Sequence, residues 1–170
     1  MIVVSDSTPM ITLMKAMHLD ILHDLFGEIE IPEAVFEELT TNIEFKDEAD
    51  LIRNSSYIRV VRVQNADQVA FLKRVAGLDQ GESEAIIYAD EIKADVLLMD
   101  ETAGRTVAQN MRLPITGSVG VLIRALHAGF LAPDEADEAV IRIRKSNRHI
   151  SEHLLQKVLA ESAKKRVELK

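Results

Sequence analysis

A chain of 170 residues that is 47% hydrophobic has the length and apolar content for one compact domain with a C-terminal appendage. It has no cysteine, which excludes disulfides, thiolate chemistry and zinc–thiolate sites, and its net charge of −8 argues against a simple nucleic-acid coat protein. No apolar run approaches the roughly 18 residues a membrane span needs, and Met1 leads directly into a strand pattern. Neither a signal peptide nor a transmembrane segment is expected, and the cytoplasm is the expected location.

Ile2–Ser5 reads as a buried strand that stops at Asp6. Thr8 is expected to cap the following helix with Pro9 at its first position, where a missing N–H costs nothing. Met10, Leu13, Met14 and Met17 then form an apolar helical stripe. A short helix over Leu19–Leu25 ends at Gly27, Ile29 and Ile31 mark a short strand, and Pro32 opens another helix. A polar stretch follows, then a strand over Tyr57–Val63, placed at a sheet edge, and a helix over Asp67–Val75. Asp79 begins a strong helix to about Ile92. The continuous apolar run Asp95–Met99 suits a strand buried in a parallel sheet. Helix 102–111, strand Pro114–Thr116 and helix 118–128 come next, the last with Ser118 as cap and Gly129 as stop. Two amphipathic helices, 133–145 and 151–166, close the chain as a helical hairpin. Alternating strands and helices imply right-handed βαβ units and a three-layer α/β/α sandwich around a mainly parallel sheet. The expected division is an α/β domain over 1–131 and a helical extension over 132–170.

Carboxylates stand where such a sheet binds ligands, beyond the carboxyl ends of its strands. Asp6 ends the first strand; Asp100, with Glu101 beside it, ends the strand "VLLM". Either acid also suits a plain helix cap. In "PEAVFEEL", Val35 and Leu39 define the buried side and Glu38 sits on its flank, as a boundary residue or facing a polar cleft. In "LDQGESEAIIYADEI", Glu82 continues the stripe of Ala85, Ile86 and Ala89, whereas Glu84 points the opposite way. Asp79 and Glu82 also fit a capping box. Clustered carboxylates raise one another's pKa unless a cation joins them, and a hard ion with oxygen ligands, Mg²⁺ or Mn²⁺, answers that problem.

Charge is distributed unevenly. Residues 1–100 carry 20 acids and 8 bases, and residues 101–170 carry 8 acids and 12 bases. Residues 141–170 hold nine bases against three acids, so Arg142, Arg144, Lys145 and Arg148 are candidate RNA-backbone contacts, with a solvated charged face as the plain alternative.

Five stretches in order, "VVSDSTPMI", "IPEAVFEEL", "LDQGESEAIIYA", "LLMDETAGRTVA" and "PITGSVGVL", resemble the PIN-domain family of metal-dependent ribonucleases, from residue 3 to about residue 122. The best-known relatives are VapC-type toxins of toxin–antitoxin pairs, while the nearest likeness is to a poorly characterised branch. The resemblance places Asp6, Glu38, Glu82 and Asp100 in an acidic pocket that binds Mg²⁺ or Mn²⁺ and hydrolyses single-stranded RNA, with Glu101 as the alternative to Asp100. It matches Ser7 and Thr8 to hydroxyls that hydrogen-bond within the site. Arg105 stands either as a phosphate contact or in a helix-surface ion pair. Toxins commonly have an aspartate where this chain has Glu82, and a hydroxyl residue where it has Met99. An antitoxin protein is the partner this likeness implies, and a homodimer through Leu154, Leu155, Val158 and Leu159 is expected from the amphipathic C-terminal helices. A non-catalytic fold retained for RNA or protein binding is the alternative. Phosphatases of the haloacid-dehalogenase type are disfavoured, because Thr8 stands where they place a second aspartate. His149 and His153 share a helical spacing, but no third ligand accompanies them.

Overall fold

The computed structural model describes residues 1–41 and 43–169, with the backbone alone at Ile43. Five strands form one all-parallel sheet: β1 (Val3–Ser5), β2 (Ile29–Pro32), β3 (Ile58–Val61), β4 (Val96–Leu98) and β5 (Ile115–Thr116), in the order β3-β2-β1-β4-β5. The helices are α1 (Ser7–Lys15), α2 (Ile21–Phe26), α3 (Glu33–Thr41), α4 (Lys46–Asn54), α5 (Ala66–Ala76), α6 (Gln80–Glu91), α7 (Thr102–Asn110), α8 (Ser118–Ala128), α9 (Pro133–Lys145) and α10 (Glu152–Glu168), with a short 3₁₀ turn at Ile43–Phe45.

Side-chain alternation along the central strands separates two apolar layers. Val3 and Leu98 point to a core shared with α1, α2, α8, α9 and α10, while Val4, Leu97 and Met99 point to a second core built on α5, α6 and α7. Both layers are mainly aliphatic, with Phe26 buried in the first. Each fully buried leucine or isoleucine in them contributes roughly 1.5–3 kcal/mol by transfer from water. The C-terminal hairpin belongs to the first core through Ala136, Val140, Ile143, Leu155 and Val158, all 2% exposed or less. Leu155 and Val158, expected at a dimer contact, are therefore used inside the chain.

The strand order sets the geometry of the site. The chain runs outward from β1 to β2 and β3, then returns to the other side of β1 for β4 and β5. The sheet's switch point thus lies between β1 and β4, which pair in the register Val3↔Val96, Val4↔Leu97, Ser5↔Leu98. Crevices for ligands open at such points. β3 is an edge strand, as expected, with Arg59 and Val60 exposed.

Three local expectations are corrected. Helix α1 starts at Ser7 with Asp6 as N-cap in extended conformation (φ −75°, ψ 167°), not with Thr8 as cap, because β1 passes directly into the helix and Pro9 fits within the first turn. Helix α8 has Gly117 as N-cap and Ser118 as its first residue, because the Ser118 amide donates to Asp100. The polar stretch before β3 contains helix α4, whose apolar stripe is reduced to Ala49 and Ile52. No helix among the described residues is long and apolar enough to cross a membrane.

Candidate functional site

Asp6 is the first residue beyond β1. Its amide donates to the Leu98 carbonyl at 3.0 Å, which locks it to the end of β4. Its side chain is 1% exposed. Oδ2 accepts from the Thr8 hydroxyl at 2.7 Å, while Oδ1 is buried with no partner among the described residues. Burial pushes this carboxyl up from the usual 3.8 to about 7. The Thr8 hydroxyl and the Ser7 amide pull it down, and the charges of Glu38 and Glu82 push it up.

Those two acids arrive from different elements. Glu38 lies on α3, the helix that follows β2, and stands at the exposed rim. Its carboxyl is raised mainly by desolvation and also by Asp79, while the Ser7 hydroxyl and the charge of Arg148 lower it. Glu82 lies in the first turn of α6 and is 9% exposed. Desolvation raises it most; the Asp79 amide lowers it, and Asp79, Glu101 and Glu38 raise it further.

Both sequence readings of Glu82 hold at once. Its Oε2 accepts from the Asp79 amide at 3.0 Å, and Asp79 Oδ1 accepts from the Glu82 amide at 2.8 Å, a complete capping box. Its other oxygen, Oε1, faces the Gly104 backbone of α7. Glu84 is turned away, where Oε2 accepts from the Ala34 amide at 3.1 Å in the first turn of α3. It lines a separate cavity of about 520 Å³ beside Lys73 and Arg74.

Asp100 follows β4 and is fixed by its neighbours. Oδ1 accepts from the Ser118 amide at 2.8 Å, and Oδ2 lies 3.4 Å from the Thr12 hydroxyl. Glu101, next in the chain, is exposed at the N-cap of α7 and acts electrostatically on Glu82. Arg105 donates from Nη1 to the Met99 carbonyl at 2.7 Å and forms no helix-surface ion pair within the described residues. Of the basic residues singled out, Arg142 pairs with Glu138 and Arg144 with Glu152. Lys145 is exposed, and Arg148 stands beside Glu38. Lys170, the last of the nine bases, lies outside the described residues.

Sequence reasoning missed three glycines that let the acids approach. A Cβ on Gly117 would stand 2.5 Å from Asp100 Oδ1, one on Gly104 would collide with Met99 Sδ and stand 3.2 Å from Glu82 Oε1, and one on Gly81 would stand 3.3 Å from Glu38 Oε2. Each glycine lies within a quoted motif, and close approach to a neighbouring acid is the signal that would have found it. Thr12 was also missed as a polar neighbour of the site.

The residues suit a hard divalent cation by their chemistry. All are oxygen donors, Asp6 and Glu82 are raised in part by neighbouring acids, and Asp6 Oδ1 is an orphaned buried acceptor. Among the described residues, no three acids or histidines already converge as a ligating group.

Comparison with known families finds one family model, described as DUF3368, PIN domain, which matches residues 2–164. No curated protein and no solved structure gives a match. The matched segment includes the sheet, all four acids and most of the C-terminal hairpin.

Proposed function

The chain belongs to the PIN-domain family, and from that premise we propose that it is a Mg²⁺- or Mn²⁺-dependent endoribonuclease acting on single-stranded RNA. PIN domains are in general nucleases that use divalent metals. The observation that carries the finer reading is Asp6: a buried carboxylate at the switch point of the sheet, with one oxygen unpartnered and two further acids acting on it.

Asp6, Glu38, Glu82 and Asp100 would hold the ion, with Glu101 available beside Asp100. When bound, it neutralises the carboxylates, lowers the pKa of a water and stabilises charge developing at a phosphate. The remaining tasks fall to the chain. The Thr8 hydroxyl fixes the rotamer of Asp6, and the Ser118 amide and Thr12 hydroxyl aim Asp100. The Ser7 hydroxyl favours the charged form of Glu38. Burial of Asp6 keeps bulk water from it, which strengthens each of these interactions. Lys145 and Arg148 supply positive charge for the RNA backbone.

A second reading has its own support. One oxygen of Glu82 and one of Asp100 are already committed to backbone amides, which suits a PIN fold kept for binding RNA or protein without cleavage. One experiment separates the two. Purified protein is expected to cleave single-stranded RNA with Mn²⁺ or Mg²⁺, to stop in EDTA, and to lose at least about a hundredfold of its rate as Asp6→Asn, as loss of a ligand does. Cleavage that persists in EDTA or in Asp6→Asn refutes the metal nuclease.

The same proposal includes residues 132–170 as an extension seated on a 1–131 unit, a cytoplasmic location, a toxin role with an antitoxin partner, and a homodimer. Of the four residues expected at a dimer contact, Leu154, 37% exposed, is the best placed, and the mass in solution tests that contact.

A further inference from the structure

The connection between α9 and α10, residues 146–151, reaches across the carboxyl edge of the sheet and divides the space around the acids. Ser146, Asn147 and Arg148 line a cavity of about 220 Å³ together with Glu38. The next residues, His149, Ile150 and Ser151, line a different cavity of about 450 Å³ together with Asp100. Asn147 takes a positive φ of 56°, where the helix ends and the connection turns. Adjacent residues of one short connection thus serve opposite flanks of the acid group.

The larger cavity has two chemically distinct sides. Ile115 and Ile123 on the sheet side and Ile150 and Leu154 on the hairpin side form an apolar wall. Arg105, His149 and Lys157 supply basic groups. Arg105 is held in place by the Met99 carbonyl, and its remaining N–H groups are free to donate. Among the described residues, neither Arg105 nor Lys157 forms an ion pair.

That lack of partners is selective. Arg142, Arg144, Lys164, Lys165 and Arg166 of the same hairpin are all paired with carboxylates. The unpaired cations on the hairpin and its connection, among the described residues, are Lys145, Arg148 and Lys157, and the last two border the two cavities. Arg148 Nε is also buried without a partner. Two of the three unpaired cations thus stand where the hairpin borders the acids, while five others of the hairpin are paired with carboxylates.

We propose that the 450 Å³ cavity binds one nucleotide of an RNA strand, its base against the isoleucine and leucine wall and its phosphate on Arg105 and Lys157. The volume lies in the range of about 300–1,000 Å³ that small-ligand sites occupy. Asp100 borders the cavity, so a nucleotide seated there delivers the neighbouring phosphate to the acids. The C-terminal hairpin is then part of the substrate site. This assignment rests on the nuclease reading for its purpose, but not for the binding event itself.

The test uses the full chain in EDTA, titrated separately with the four ribonucleoside 5′-monophosphates and with inorganic phosphate while amide resonances are followed. At least one monophosphate is expected to shift the amides of Gly117–Gly120 and Ile150–Leu154, and to bind at least about tenfold more tightly than phosphate alone. Lys157→Glu should weaken that binding at least about tenfold, and so should Leu154→Trp, which fills the apolar side without altering charge. Both positions are exposed, so the variants are expected to fold, and matched melting curves check that. In cleavage assays, Lys157→Glu should raise KM for single-stranded RNA while kcat changes little. No shifts at about 10 mM nucleotide, shifts confined to another surface, or phosphate binding as tightly as the nucleotide would each overturn the proposal. RNA cleavage insensitive to both cavity variants removes this inference and leaves the nuclease reading intact. Nucleotide binding without any metal-dependent cleavage does the reverse.

Discussion

Two charged regions of this protein have opposite electrostatics. At the carboxyl edge of the sheet, Asp6, Glu38 and Glu82 are all raised above the usual carboxylate range, with burial as the first cause and the charge of neighbouring acids as a further one. On the C-terminal hairpin, Glu152 and Glu161 are lowered, and Arg144 and Arg166 raised, first of all by direct hydrogen bonds to oppositely charged partners. The same side-chain types are self-satisfied in one place and uncompensated in the other. Charge that the fold leaves uncompensated, at a cost in stability, marks the region that needs an outside ligand.

The largest effect that can break this comparison is in activity. Glu82→Gln should cut metal-dependent cleavage by at least about a hundredfold, whereas Glu84→Gln should leave it within a few fold. Glutamine keeps the capping box at position 82 and the bond to the Ala34 amide at position 84, so neither change should unfold the protein. If Glu84→Gln is the more damaging change, the separation of the two faces of α6 is wrong.

The next is a pH effect on stability without metal. Asp6 rises from 3.8 to about 7 on folding, so between those values the native state holds a proton that the unfolded chain has released. Metal-free stability should therefore fall as pH rises from about 4 through about 7, by an amount on the order of 4 kcal/mol if no relaxation intervenes. Asp6→Asn should flatten that dependence and melt higher than wild type at pH 8 in EDTA. An unchanged slope would mean that Asp6 titrates normally. Glu152, whose carboxyl is lowered on the hairpin, has the opposite sign: its contribution is present at neutral pH and fades as the medium becomes acid.

Gly117→Ala sharpens the contrast further. Its Cβ would stand 2.5 Å from Asp100 Oδ1, so the carboxylate must move from the Ser118 amide. The expected result is about a tenfold loss of activity with a modest loss of stability, measured by initial rates and thermal melting. The smallest effect belongs to Arg144→Ala, which removes one exposed ion pair with Glu152 and should leave both cleavage and the melting midpoint nearly unchanged.

The positions of three of the acids in the fold were legible in the sequence for different reasons. Asp6 and Asp100 follow from a rule of parallel sheets, that acids after buried strands gather at one edge. Glu82 follows from helical periodicity, which separates it from Glu84 by about 200°. Helix α4 was not legible, because two buried residues do not make a periodic pattern and its amphipathic signal lies mostly in its charges. The start of α1 was misplaced because proline was assigned to the first helical position when it occupies the third. Arg148 was visible as a base, but its approach to Glu38 depends on how α9 and α10 pack. No local pattern encodes a contact between residues more than a hundred positions apart.

That distance has a consequence for synthesis. Val4 pairs with Glu30 on one side and with Leu97 on the other, so the central strand gains its second neighbour only once the chain through β4 has been made. Contacts this far apart in sequence form late and slowly. Asp6 is made before Asp100 and before the hairpin, and can meet each only once that element has also left the ribosome. A growing chain thus carries Asp6 before the elements that complete its surroundings exist, and the acid group assembles only after the strands and helices that supply its other members have been made.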